Sequence, residues 1–154
     1  MSATAFLTVR GARQGDIKGD VTLVGREGSI ALISVAYGVD ATYDPSSGQI
    51  SGKRQHKPIS VTKRIDQTSP KLVAALVANE TLTSVKIEFW RHGPDVAAPY
   101  FVIALTNAAI VAISLAPAEA PQRGEYEMVQ FTYRKIVWTW TASSQSAEDD
   151  WLSH

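Results

Sequence analysis

Three histidines, a basic cluster and an acidic run are the features of this 154-residue chain whose residue types and spacing could do chemistry. His56 lies in the basic cluster, His92 in the turn-forming run His92-Gly93-Pro94-Asp95, and His154 at the end of the sequence. Nucleophilic catalysis needs a Cys or Ser held beside a base. Cysteine is absent, and no histidine accompanies a GxSxG-type motif. All three therefore read as ordinary surface histidines. Glu148, Asp149 and Asp150 could face a cation, but an acidic run near a terminus is usually solvated. The glycines before Lys53 lack P-loop spacing and no helix follows them. No catalytic residue, metal or cofactor is expected.

The basic cluster is the sharpest charge feature. Lys53, Arg54, His56, Lys57, Lys63 and Arg64 fall within twelve positions, with no acid before Asp66. Phosphate neutralisation would suit a nucleic acid, but no aromatic interleaves the cations to stack on bases. Contact with an acidic surface of another copy is a second reading, and a solvated loop a third. Globally, fifteen cations balance fifteen anions, so net charge points to no polyanionic partner and offers no barrier to self-association.

The elements that must position these residues are mostly strands. Apolar alternation predicts strands over 3–10, 29–39, 59–65, 83–91, 100–106, 109–115 and 126–141, with a weaker one at 19–24. In 29–39 both faces are apolar, as in a strand covered on both sides. In 59–65, Ile59, Val61, Lys63 and Ile65 share one face. In 126–141 the apolar phase runs Val129, Phe131, Tyr133 and then shifts to Ile136, Trp138, Trp140, which marks a bulge or a strand crossing between sheets. Residues 11–18 and 116–124 read as turns and loop. Residues 40–58 form the longest expected loop, or a protruding hairpin, and are a contact element in either form.

One helix is expected over 69–79. Ser69 is placed as its N-cap, Pro70 at the first helical position and Asn79 as its terminator. Leu72, Val73, Leu76 and Val77 form the core stripe. The outer face holds Ala74, Ala75 and Ala78 with little charge beside Lys71 and Glu80. Two explanations stand: close approach of another surface, or alanine's high helix propensity.

Hydrophobic content of 45% in one domain's length supports a folded core rather than disorder. The N-terminus shows no signal-peptide pattern, which makes the cytoplasm the default compartment. Residues 96–118 carry no charge, long enough formally to span a bilayer. Pro99, Asn107 and Pro117 interrupt them, so they read as two buried strands and no membrane insertion is expected. The sum is a mainly β fold: a compact barrel or sandwich of two packed sheets with one α-helix. It spans 1–141 and is followed by a polar tail over 142–154.

The run SGKRQHKPISVTKRIDQTSPKL at 51–72 closely resembles the haemolysin-coregulated protein (Hcp) family of the type VI secretion system. The likeness extends to DIKGDVT at 16–22, the 34–39 strand, KIEFWR at 86–91, YFVIALTNAAIVAIS at 100–114, FTYRKIVWTW at 131–140 and SAEDDW at 146–151. The link 143–145 is serine-rich where glycines would be expected. The resemblance implies a β-barrel like that of phage tail-tube proteins, in a structural subunit rather than an enzyme. It implies homohexameric rings that stack into a tube, capped by a VgrG-type spike, driven by a contractile sheath and able to carry effectors in the lumen. It implies no nucleic-acid partner, and a protein that is cytoplasmic before firing and secreted without a signal peptide.

On that resemblance, Tyr43, Asp44, Lys53, Arg54, His56 and Lys57 are candidate subunit or ring contacts. Lys71, Ala74, Ala75 and Ala78 are candidates for the lumen or a subunit junction. The basic cluster and the acidic 148–150 run are expected to pair between copies. A monomeric ligand-binding barrel and a barrel-fold enzyme are the alternatives.

Overall fold

A computed structural model describes residues 4–93, 95–115 and 125–151. The loop expected at 116–124 and His154 lie outside these. The elements run β1 (Ala5–Gly11), β2 (Gly15–Ile17), β3 (Ile30–Ala36), β4 (Val39–Tyr43), β5 (Ile50–His56), β6 (Ile59–Arg64), α1 (Ser69–Val77), β7 (Leu82–Phe89), β8 (Phe101–Leu115), β9 (Tyr126–Trp140) and β10 (Gln145–Asp150). Among the described residues the fold is mainly β with one helix, as the alternation requires.

Six strands close into a barrel in the order β9-β6-β3-β1-β7-β8, with β8 pairing back onto β9. Closure removes the sheet edges that an open sheet must protect. The inward residues of each strand fill the interior: Leu7, Val9, Val61, Val85, Ile103 and Phe131 are all at most 1% exposed. β4 and β5 form a separate two-stranded sheet.

The phase shift read in β9 is present. Core positions run Val129, Phe131, Tyr133 and then Ile136. β8 shifts at the same level, from Ile103 and Leu105 to Ala108 and Ile110. Asn107, at φ 52, makes this kink in a left-handed conformation that asparagine tolerates. The expected turn between two strands is thus a kink inside one 15-residue strand, because β8 keeps its ladder with β9 on both sides of it.

Several other expectations are corrected. Residues 19–24 form no strand. They belong to a loop in which Gly19 N donates to Gly28 O and Gly28 N to Val21 O, with Arg26 lying 4.1 Å from the Trp90 ring. Residues 15–17 instead form β2, against β1. In β3 only one face is covered: Leu32 is buried, while Ile33 is 56% exposed. Within the expected tail, residues 145–150 form a strand, since β10 pairs with β9 from Gln145↔Trp140 to Asp150↔Lys135.

The helix is turned relative to its expected stripe. Leu72 and Ala75 are buried, whereas Val73 and Val77 are 42% and 79% exposed. The i, i+3 spacing of 72 and 75 sets the buried face, and a small alanine lets the helix sit close to β8. The N-cap is Thr68, one residue earlier than expected. Asn79, at φ 53, ends the helix, with Asn79 N donating to Leu76 O and Glu80 N to Ala75 O. The buried Glu80 carboxylate then accepts from the backbone N–H groups of Arg13 and Gln14, both at 2.8 Å. A side chain at Gly11 would collide with that carboxylate.

Candidate functional site

Residues 40–58, expected as a long loop or a protruding hairpin, carry a hairpin arm, β4 and β5, that shares no ladder with the barrel. Asp44 shapes its tip. Its Oδ1 accepts from Ser46 N at 2.9 Å, and Gly48, at φ 77, donates to Asp44 O at 2.7 Å. Tyr43 and Ile50 face each other across the tip, 60% and 67% exposed. At the root, Lys57 N donates to Gly38 O at 3.0 Å, and Lys57 Nζ pairs with Asp40 at 2.8 Å. Every residue of β4 is exposed.

The far end of β5 turns inward. Arg54 grips Asp149 with Nε at 2.6 Å and Nη2 at 2.7 Å, and donates to Asp150 O at 2.8 Å. His56 Nε2 lies 2.7 Å from Asp149, and Nδ1 lies 2.8 Å from the Tyr133 hydroxyl. Its ring stacks on Trp151 at 5.4 Å. Asp149 is an acceptor when ionised, so Nε2 carries a proton. Arg54's hydrogen bonds hold the Asp149 carboxyl well below the usual carboxylate range, against the opposing effect of burial and with His56 adding to Arg54.

The six arm candidates therefore divide. Tyr43 and Asp44 sit at the tip, Lys53 is exposed midway, and Lys57 is at the root. Arg54 and His56 turn onto β10. His56 is no surface histidine, since its side chain is 1% exposed. Two of the cations expected to meet acids of another copy meet acids of their own chain, Arg54 with Asp149 and Lys57 with Asp40, and the acidic run is also met by Arg134 at Asp150 and Lys135 at Glu148. Lys63 leaves the cluster altogether. It is wholly buried and paired with Glu127 and Asp66. Of the helix candidates, Lys71, Ala74 and Ala78 are exposed and Ala75 is core. The exposed helix face and Ile65 leave an apolar groove of Ile65, Pro70, Val73 and Val77.

The residues missed by sequence reasoning are Asp149 as the hub, Tyr133 and Trp151 as its packing partners, and Glu127 opposite Lys63. The like-signed pairs Arg134-Lys135 and Glu148-Asp150 were the available signal for β10. Two complementary charged stretches a short link apart suit an antiparallel pair.

Tyr133, His56 and Asp149 are in hydrogen-bonding sequence, an order that acyl-transfer sites also use. Here the order is structural. Burial, then the Asp149 charge, pushes the Tyr133 phenol up to about 12, so it stays protonated. Both Tyr133 and His56 are under 9% exposed, which leaves no face for a substrate.

Asp149, Glu80 and Asp66 all titrate below their ordinary values. For Glu80 the cause is chiefly the Gln14 N–H. For Asp66, burial pushes upward, but the Thr68 hydroxyl and amide and the Lys63 charge outweigh it. A depressed carboxylate contributes stability that is present above its unfolded value and is lost as pH falls through the folded one. Thermal unfolding across pH is therefore expected to show these contributions intact from roughly pH 5 to 8 and shrinking below about pH 4. A midpoint unchanged down to about pH 2 would contradict this.

Residues 6–140 match the family described as type VI secretion system effector, Hcp. The "Major exported protein" of Pseudomonas aeruginosa is 34% identical over 168 residues, covering 99% of this chain and 98% of the relative. A crystal structure of an Hcp protein superposes with TM-score 0.85 at 32% identity, covering 96% of this chain and 98% of that one. The Hcp1 protein of E. coli superposes at 0.84 with 28% identity, covering 97% and 99%.

Proposed function

This chain belongs to the Hcp family of the type VI secretion system, and from that premise we propose that it is a structural tube subunit. Copies close into hexameric rings and the rings stack. A VgrG-type spike, a contractile sheath and carried effectors are the partners of that assembly, and the protein leaves the cell through it. The name of the exported Pseudomonas relative supports the route. Among the described residues no helix is long and apolar enough to cross a membrane.

The observation that carries the reading is the arm. It projects from a closed barrel and presents Tyr43 and Ile50 to solvent at its tip. The α1 groove exposes Val73 and Val77 elsewhere on the same chain. A ring needs two different patches per copy, because head-to-tail contacts close by rotation. A monomeric ligand-binding barrel would instead need an internal cavity, and side chains fill this interior. Cargo in such an assembly travels in the space between subunits.

Light scattering with negative-stain imaging of the full chain tests the reading. Closed rings are expected. A strict monomer at every concentration and salt overturns it.

A further inference from the structure

The arm shares no ladder with the barrel, β10 pairs with one barrel strand, and the two elements are tied to each other. β4 and β5 pair only with one another. The chain enters the arm through Gly38 and leaves through Lys57-Pro58, closed at the root by the Lys57 N to Gly38 O bond. β10 has a single neighbour, β9, and follows a turn in which Ser144 takes φ 55. Between these two peripheral elements sits Asp149. It receives Arg54 and His56 from the arm, while Trp151, just past β10, stacks on His56 and meets Tyr133 edge-on at 4.9 Å. Trp151 N is in turn anchored to Arg134 O at 2.7 Å.

We infer that the arm and β10 form one cooperative unit, closed by the Arg54–Asp149–His56 latch, which opens as a whole while the barrel stays folded. Residues almost a hundred positions apart, 54 and 149, thereby share one local stability. The latch is bidentate and charge-assisted, the geometry that gives arginine–carboxylate pairs their strength and direction. Asp149 serves both arm residues, so its loss undoes both contacts at once.

The barrel does not depend on the latch. Its six strands close on one another without β4, β5 or β10, and β10 adds to the half of β9 that lies beyond its ladder with β6. A barrel side chain that bonds to the latch is Tyr133, through His56.

The consequence is regulatory. A contact that peels β10 from β9 frees the arm, and a contact that fixes the arm protects β10. Such coupling is reciprocal, since each element changes the other's opening equilibrium by the same factor. A binding event or a fused segment at the C-terminal strand therefore reaches the arm tip without touching it. The inference goes beyond ring formation and holds whether or not rings form.

Hydrogen exchange on the full chain tests it, with Asp149→Asn and Arg54→Gln made separately. Each variant is expected to raise amide exchange over 39–56 and 145–150 together, by roughly tenfold or more, while β1 and β7 keep wild-type protection. Trp151 emission is expected to shift to the red in both as it leaves the His56 ring. Loosening confined to the segment that carries the substitution would overturn the cooperative unit. So would loosening of β1 and β7 in step with the arm. Should Asp149→Asn fail to fold, the independence of the barrel is already refuted. Arg54→Gln still asks whether β10 follows the arm. Ring formation is read separately by scattering, so its failure leaves this result standing.

Discussion

Glu127→Ala is expected to lower the stability of the fold by about 3–5 kcal/mol, a fall in Tm of roughly 10 °C. Lys63 is wholly buried, and its ammonium meets the Glu127 carboxylate at 2.5 Å, directly across the β6–β9 ladder. Its other partners are Arg64 O at 2.8 Å, Ser69 Oγ at 3.2 Å and Asp66 at 3.2 Å. Removing Glu127 leaves a buried cation with one carboxylate instead of two, and Ser69 without the acceptor of its hydroxyl. The cost comes from stranding a charge already desolvated, so it exceeds what the pair adds by being there. The double variant Lys63→Met/Glu127→Leu separates the two quantities and is expected to recover most of the loss. Denaturant unfolding measures both. A cost below about 1 kcal/mol for Glu127→Ala would mean the ammonium finds water, contrary to its burial.

Half of that pair was legible in the sequence. The alternation of 59–65 puts Lys63 in phase with Ile59 and Val61, on the buried face. A lysine there demands a partner, yet nothing local names Glu127, because the partner depends on the register of β6 against β9. The same limit applies to the arm. Its position was readable from the length and turn content of 40–58, but the 93-residue separation of His56 and Asp149 hid the latch. Local ambiguity explains the other differences. Asn107 reads equally as a turn residue and as a left-handed kink within a strand. In the helix, alanine carries no signal of burial, so Ala75 could be read on either face while Val73 and Val77 drew the stripe toward themselves. The barrel was legible because alternation over long strands is a repeated signal. The β9 phase shift was legible because one strand displays both phases.

Replacing residues 42–51 with a short Gly-Ser turn is expected to abolish ring assembly while leaving the barrel folded. The choice of bounds matters. Arg54 and His56 stay, so Asp149 keeps its partners and the latch remains closed. A deletion reaching residue 56 would strand Asp149 and confuse lost contact with lost stability. What the shorter replacement removes is the tip, where Tyr43 and Ile50 pair in the open. Burying side chains of this size against another copy contributes about 1.5–3 kcal/mol each. Tyr43→Ser/Ile50→Ser should therefore weaken each contact by roughly a hundredfold to ten-thousandfold, at about 1.4 kcal/mol per factor of ten. A closed ring repeats every contact around its circle, so a loss of that size at each junction is enough to leave free subunits at concentrations where the wild type assembles. Circular dichroism reports the fold and light scattering the assembly. Wild-type rings from the tip-replaced chain would show that the arm is not a ring contact. They would leave the groove of Ile65, Val73 and Val77 as one patch and move the search for its complement elsewhere on the barrel.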